Sequence, residues 1–118
     1  MKPIVILEVA NNHMGNVNHG KKIITEFNKV TKKFKNQINF VVKYQYRDSK
    51  TFIHKESDDK NKFVKRFNET FLSNKEWGEL INFSSKYYKL ACTPFDEISA
   101  EKVFKQKFDY VKIASCSA

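Results

Sequence analysis

The sequence predicts an α/β fold in which parallel strands alternate with helices. Two observations support this fold class: four short apolar runs recur along the chain, and the stretches between them carry apolar residues at helical spacing. Each apolar run stops at polar residues, as expected for a buried strand that ends at the rim of a sheet. The order strand, helix, strand, helix, strand, helix, strand implies right-handed crossovers and a parallel sheet.

Each predicted strand offers one polar side chain near its carboxyl end. The strands cover residues 4–10, 40–45, 90–93 and 109–114. Side chains alternate between the two faces of a strand. This parity groups Glu8 with Ile4 and Ile6, Lys43 with Val41 and Gln45, Thr93 with Ala91, and Lys112 with Tyr110. Four strands that end in Glu, Lys, Thr and Lys indicate a shared site.

Glu8 and Lys43 each stand between apolar neighbours in a predicted buried strand. Burial of a charge is costly unless it meets an opposite charge, a metal or a substrate group. A structural ion pair between the two is one interpretation, and a role in a site is the other. Gln45, on the same face as Lys43, adds a neutral donor and acceptor. The loop 11–16 is rich in Asn and Gly, which lets it fold tightly over a site.

Asn18 is expected to cap the first helix at its amino end. Its apolar residues share one face, which we assign to the core, while lysines occupy most other positions. The core residues predicted for this helix are Ile23, Ile24, Phe27, Val30 and Phe34.

The second helix follows a capping box formed by Ser73 and Glu76. Its buried side is expected to carry Trp77, Leu80, Ile81, Ser84 and Tyr88. Pro94 ends the third strand, and Asp96 or Ser99 caps a short third helix. That helix carries Ile98, Val103 and Phe104. The stretch 46–72 is long for a loop, so it is expected to cover a site or contain short elements. His54 within it has no second His at ligand spacing and is assigned no metal.

Composition argues against a disordered protein and against a nucleic-acid-binding protein. The 118 residues suit one small domain or part of a larger one, and 41% hydrophobic content with 11 Phe and 5 Tyr is enough for a core. The net charge of +9 favours anionic partners. Nucleic-acid binders rely on Arg, however, and the chain has only Arg47 and Arg66, so the lysines indicate a solvated surface.

The cysteines and the absence of apolar segments point to a reduced, soluble protein. Cys92 and Cys116 lack metal or redox spacing, and we interpret both as packing residues in an intracellular protein. Because neither a signal peptide nor a membrane span is visible, we expect a cytoplasmic location with no membrane partner.

The charged strand residues favour a barrel over an open nucleotide-binding sheet. With three glycines the chain contains no phosphate-binding glycine motif, which argues against Rossmann and P-loop folds. Inward-facing charged groups suit a TIM-type (β/α)8 barrel of about 250 residues. Residues 1–118 are therefore expected to form its first half, about β1-α1-β2-α2-β3-α3-β4.

Four motifs stand at the predicted strand ends: Glu8-Val9-Ala10-Asn11-Asn12-His13-Met14-Gly15, Val42-Lys43-Tyr44-Gln45, Cys92-Thr93-Pro94-Phe95-Asp96 and Val111-Lys112-Ile113-Ala114-Ser115. In their order and spacing, these segments resemble the motifs of the sialic acid (N-acetylneuraminate) synthase family. They are similar to the family's E-x-x-x-N-H-x-G, K-F-Q, T-P-F-D and K-I-A-S signatures. Each is weak alone, but together they span nearly the whole chain.

The resemblance implies a phosphoenolpyruvate-dependent transferase that forms a carbon–carbon bond. Such enzymes are (β/α)8 barrels that condense phosphoenolpyruvate with N-acetylmannosamine or a related N-acylated amino sugar into a nonulosonic acid for surface carbohydrates. The resemblance also implies a divalent metal, manganese or magnesium, bound by histidines of later strands, so no residue here is assigned as a metal ligand. A homodimer is expected for the full-length enzyme.

The site residues follow from the same resemblance. Lys43, Thr93, Lys112 and Ser115 would hold the phosphate and carboxylate of phosphoenolpyruvate. Glu8 would act near the reacting carbons as an acid/base or orienting group, which makes Glu8, Lys43 and Lys112 the expected catalytic residues. Gln45 would face the sugar. Asn12 and His13, in the first loop, are the remaining expected substrate-binding residues.

The chain departs from the family pattern at one motif and in its extent. Cys116-Ser117 stands where family members often have Gly-Glu, so the sugar specificity does not follow from the motif. The later half of the barrel and any C-terminal antifreeze-like domain are expected to be absent, and a fragment of this kind is expected to be inactive alone. The alternative is a non-catalytic basic module that contacts nucleic acid or another polyanion.

Overall fold

A four-stranded parallel sheet forms the centre of the molecule, as the sequence predicts. The computed structural model describes residues 1–47, 69–106 and 108–115. The strands are β1 (Ile4–Ala10), β2 (Asn39–Tyr46), β3 (Lys89–Pro94) and β4 (Tyr110–Val111), in the order β1-β2-β3-β4. The fourth strand is shorter than the predicted 109–114. Beyond Val111, the backbone of Lys112 adds one bond from its N–H to the Cys92 carbonyl at 2.9 Å.

Three helices connect these strands within the described ranges. They are α1 (Val17–Thr31), which continues as a 3-10 turn (Lys32–Phe34), α2 (Asn74–Ser85) and α3 (Glu97–Lys105). In the part of the chain that the structure describes, no helix is both long and apolar enough to span a membrane. The predictions made for residues 48–68, including His54 and Arg66, and for Cys116 and Ser117 lie outside the described residues.

Side-chain caps fix where each helix begins. Asn16, not the predicted Asn18, caps α1, because its Oδ1 accepts a bond from the His19 N–H at 3.0 Å. The capping box before α2 is confirmed: Ser73 Oγ accepts from the Glu76 N–H at 3.2 Å, and Glu76 Oε1 accepts from the Ser73 N–H at 3.0 Å. Asp96, one of two predicted candidates, caps α3.

All three helices pack on one face of the sheet. Ile24 of α1, Leu80 of α2 and Val103 of α3 share one buried cluster with strand residues of that face. The strand residues in it are Val9, Val42, Tyr44, Tyr46, Leu90 and Cys92. The buried hydroxyl of Tyr44 is paired inside this core, since it bonds to Ser84 Oγ at 2.6 Å.

Two residues assigned to the core of the first helix are exposed. Val30 is 65% exposed and Phe34 is 40% exposed. Thr31 takes the core position instead, where its hydroxyl bonds to the Tyr88 hydroxyl at 2.6 Å. In α3 the buried residues are Ser99 and Val103, while Ile98 and Phe104 are 45% and 82% exposed. A helix this short turns neighbouring positions by about 100° each, so only one row of side chains reaches the sheet.

The opposite face of the sheet, which we name the second face, carries the polar strand residues. By alternation it contains Ile4, Ile6, Glu8, Val41, Lys43, Gln45, Ala91 and Thr93. The prediction that β1 is a buried strand is wrong for this face within the described structure, because Ile4 and Ile6 are 58% and 55% exposed.

Candidate functional site

Glu8 and Lys43 form an ion pair on the second face. They lie opposite each other in the register of β1 and β2, and Lys43 Nζ lies 2.5 Å from Glu8 Oε2. The lysine side chain is only 4% exposed, whereas the glutamate side chain is 43% exposed. The other carboxylate oxygen, Oε1, accepts a bond from the Ala10 N–H at 3.1 Å. The protein therefore holds both oxygens of a carboxylate that remains open to a ligand.

Gln45 and Thr93 form the next row toward the carboxyl edge of the sheet. They are partners in the register of β2 and β3. Thr93 is 2% exposed, and its hydroxyl has no hydrogen-bond partner among the described residues. A buried hydroxyl normally has a partner, so this one is placed to bond to a bound molecule.

Lys112 and Ser115 follow β4 with exposed side chains. Tyr110, two residues before Lys112, lies opposite Ala91 in the register, so parity places Lys112 at the edge of the second face. The structure thus brings Glu8, Lys43, Gln45 and Thr93 together in adjacent rows. It leaves Lys112 and Ser115 at the margin, in solvent.

The two loop residues predicted to bind substrate differ in their surroundings. Asn12 is exposed. His13 is completely buried, with its ring edge-on to Trp77 of α2 at 5.1 Å between centroids. Burial, together with the charge of His19, lowers the pKa of His13 to about 4. His13 therefore packs on the helix side of the sheet, away from the second face, and is neutral at physiological pH.

Two contacts at this edge were not predicted. The Arg47 guanidinium lies over the Phe95 ring at 3.8 Å from its centroid. The sequence held a signal for this pair, because Arg47 follows Gln45 and Phe95 follows Thr93 at the spacing of one strand face. The Ala10 amide that binds Glu8 had no such signal, since Ala10 adopts a left-handed φ of 49° that is uncommon for alanine.

Cys92 lies on the helix face of β3, within the buried core. Its thiol is free and fully buried, and burial strongly raises its pKa. A thiol that stays protonated is a poor nucleophile, which agrees with the packing role predicted for Cys92.

No metal site forms among the residues that the structure describes. Within these ranges no three His, Cys, Asp or Glu side chains lie close enough to hold an ion. The donor set on the second face is a single carboxylate already bound to a lysine, which does not fit a divalent cation.

Comparison with solved structures yields two informative neighbours. One is a protein assigned as spore coat polysaccharide biosynthesis protein E from Chromobacterium violaceum ATCC 12472, with 41% identity and a TM-score of 0.90 over 98% of this chain. The other is N-acetylneuraminic acid (sialic acid) synthetase from Leptospira borgpetersenii serovar Hardjo-bovis in complex with citrate, with 26% identity and a TM-score of 0.71 over 96% of this chain.

Both neighbours are much longer than this chain. The 118 residues cover 35% of the first and 36% of the second, so the chain spans about a third of their length. No protein-family model and no curated protein matches the chain.

Proposed function

Because the structural neighbours confirm the resemblance to sialic acid synthases, we propose that this chain is the first half of the barrel of such an enzyme. The enzyme would condense phosphoenolpyruvate with N-acetylmannosamine or a related N-acylated amino sugar, giving a nonulosonic acid for surface carbohydrates. The single observation that carries the proposal is the Glu8–Lys43 ion pair beside the unpartnered Thr93 hydroxyl at the carboxyl edge of a parallel sheet.

The sheet topology supports a barrel. The strands follow one another in sequence order, all are parallel, and the helices pack on one face. A doubly wound sheet reverses its strand order and places helices on both faces. A (β/α)8 barrel keeps its strands in sequence order and its helices on one face. Its site residues lie at the strand ends on the inner side, which here would be the second face.

The cationic and hydroxyl groups suit phosphoenolpyruvate, which carries a phosphate and a carboxylate. Lys43 would bind one anionic group from inside the sheet, and Thr93 would donate its free hydroxyl to the same ligand. Lys112 and Ser115 would close over it from the margin. Ammonium and hydroxyl donors in a site shielded from water stabilise both the bound anion and the charge that develops during reaction.

The proposed reaction joins two carbons and releases phosphate. The methylene carbon of phosphoenolpyruvate attacks the aldehyde carbon of the open-chain sugar, and the aldehyde oxygen takes up a proton. The cation left at the phosphate-bearing carbon is captured by water, which loses a proton and becomes a hydroxyl group. The bond from that carbon to the phosphate oxygen then breaks, so that phosphate leaves, and the hydroxyl loses its proton to form the ketone. Glu8 would orient the reactants or move one of these protons, and Gln45 would bond to the sugar.

A purely structural ion pair is a weaker interpretation of the Glu8–Lys43 contact. Burying Lys43 costs desolvation free energy, and a carboxylate that is 43% exposed offsets only part of it. An anionic ligand on the second face would supply the remaining compensation.

The predicted manganese or magnesium ion stays a prediction for the longer protein. The described residues do not fit a divalent cation, so we derive no step through a metal. A homodimer and a cytoplasmic location are likewise proposals for that protein.

The test uses the full-length protein that contains this segment. We expect manganese-dependent phosphate release from phosphoenolpyruvate with one member of a panel of N-acylated hexosamines. Lys43→Met should reduce this rate by at least about 100-fold, because a buried cation at the anion is lost. Lys29→Met is the matched control, since Lys29 pairs with Glu26 on the exposed side of α1. Absence of phosphate release with every sugar would refute the synthase proposal.

One observation favours the alternative of a polyanion-binding module. Several lysines of α1 and the following 3-10 turn are exposed on the outside of the molecule: Lys22, Lys29, Lys32 and Lys33. Steeply salt-dependent retention on DNA that Lys43→Met leaves unchanged would support this module. A polyanion-binding module does not explain why Lys43 is buried on the second face, and we therefore favour the enzyme.

A further inference from the structure

We infer that His13 is a positioning residue for Glu8: its ring holds the loop 11–16 in the shape that aims the Ala10 amide at the Glu8 carboxylate. His13 would then act without touching substrate. The inference deepens the proposed function and rests on it for its kinetic consequences. Its structural part is independent of the reaction.

The His13 side chain is enclosed by the helices. It is 0% exposed, and its ring meets the Trp77 ring edge-on at 5.1 Å. Its Cβ lies 3.3 Å from the point where a Cβ on Gly20 of α1 would stand. A side chain fixed between α1 and α2 in this way cannot reach a ligand on the second face.

One ring nitrogen of His13 bonds back to its own loop. The Gly15 N–H donates to His13 Nδ1 at 3.1 Å. An accepting Nδ1 carries a lone pair, so the proton of the neutral ring is on Nε2. Nε2 is buried with no hydrogen-bond partner among the described residues. The ring therefore stabilises the loop through the hydrogen bond that Nδ1 accepts.

This bond closes a turn that the backbone would not adopt by default. Met14 and Gly15 have left-handed φ angles of 56° and 67°. Gly15 also packs closely on the segment before α2, because a Cβ there would lie 2.7 Å from the Glu69 carbonyl oxygen. The His13–Gly15 bond stabilises a conformation that non-glycine residues adopt only where their surroundings require it.

The other end of the same loop holds the site carboxylate. Ala10 has a φ of 49°, and its N–H donates to Glu8 Oε1 at 3.1 Å. Backbone bonds connect the two ends: the Asn12 N–H donates to the Val9 carbonyl at 2.8 Å, and the Asn16 N–H donates to the His13 carbonyl at 3.0 Å. These backbone bonds connect His13 with Ala10 and Glu8, so a change at His13 is expected to reach the carboxylate.

Two substitutions at position 13 in the full-length protein, with side chains of the same shape as each other, test this role. Asn keeps an acceptor near the position of Nδ1, whereas Leu has the same shape without one. His13→Leu should lower kcat about 10- to 100-fold with KM for phosphoenolpyruvate within about threefold, because Glu8 is misplaced while the anion site is intact. His13→Asn should stay within about threefold of wild type in both constants. Equal losses in the two variants, or a raised KM, would overturn the inference.

Two further measurements do not depend on activity. Amide hydrogen exchange at Ala10 and Gly15 should accelerate in His13→Leu but not in His13→Asn. In the wild-type protein, nitrogen NMR of the imidazole should place the proton on Nε2, and a proton on Nδ1 would contradict the inference even if no variant folds. An inactive wild type would count against the synthase proposal, while the exchange and NMR results would still decide the role of His13.

Discussion

At the scale of single residues, the polar ends of the strands were predictable and their surroundings were not. Parity placed Glu8 beside Lys43 because side-chain alternation along a strand is a local property. The burial of His13 depends on Trp77, which belongs to an element far away in the chain, and no local pattern reveals that contact. The motif indicated that His13 mattered, but only the fold indicated how.

The neutral state of His13 predicts how stability depends on pH. Its pKa is about 4 in the folded protein, and we take the ordinary value of 6.5 for the unfolded chain. Well above pH 6.5 neither state binds the proton. As the pH falls from 6.5 toward 4, the unfolded state binds it first, so the free energy of unfolding decreases, by about 2 kcal/mol at pH 5.

Urea unfolding of wild type and His13→Asn at pH 7 and pH 5 measures this contribution. The wild type should lose more stability than the variant over this interval, by about 2 kcal/mol. Because the two proteins differ only at position 13, the difference isolates His13. Parallel losses in the two proteins would show that His13 is not held neutral by the fold.

At the scale of elements, short-range signals located the order of the strands and the start of α2, while the cap of α1, the length of β4 and side-chain exposure were less predictable. Ser73 and Glu76 marked the start of α2 correctly because a capping box satisfies backbone donors within one turn. Val30 and Phe34 were assigned to the core and are exposed. Val30 stands one position before Thr31, which takes the core position in α1, and Phe34 lies in the 3-10 turn, which changes the direction of the side chains after Thr31. Where a helix stops against its neighbours is a tertiary property.

The contact between α1 and α2 predicts opposite effects for two glycines. An added Cβ at Gly20 would meet the Leu80 methyl carbons at 2.9 and 3.0 Å and His13 Cβ at 3.3 Å, whereas a Cβ at Gly78 would meet nothing within 4 Å. Gly20→Ala should therefore destabilise the protein by about 1–2 kcal/mol, despite the better helix propensity of alanine. Gly78→Ala should stabilise it by about 0.5–1 kcal/mol.

Thermal or urea unfolding of the two variants checks this pair, with Gly78→Ala as the matched control for propensity. Leu80 is completely buried, so its methyl groups cannot rotate away without displacing other core atoms. Stabilisation by Gly20→Ala would mean that the two helices are further apart than described.

At the scale of the whole molecule, the described residues leave the second face uncovered and the two edge strands unpaired on their outer sides. Within the described ranges β1 pairs only with β2, and β4 only with β3. Ile4, Ile6 and Tyr110 are 58%, 55% and 45% exposed on the second face or its margin. Apolar side chains and open strand edges favour association with another sheet or chain. In the proposed barrel, the remaining strands would cover both.

Ile6 therefore distinguishes a barrel from a free-standing sheet, because the same substitution should have opposite effects in two contexts. In the isolated 118-residue segment, Ile6→Lys should reduce concentration-dependent association, measured by analytical ultracentrifugation, since it places a charge on an exposed apolar surface. In the full-length protein the same change should lower the free energy of unfolding by about 3 kcal/mol, because the barrel interior would bury an unpaired ammonium group. Val30→Lys, at a position that is 65% exposed on α1, is the control and should change stability by less than about 0.5 kcal/mol in either context. If the full-length protein tolerates Ile6→Lys as well as Val30→Lys, the second face is open to solvent there, and the barrel, with the enclosed site it would provide, is wrong.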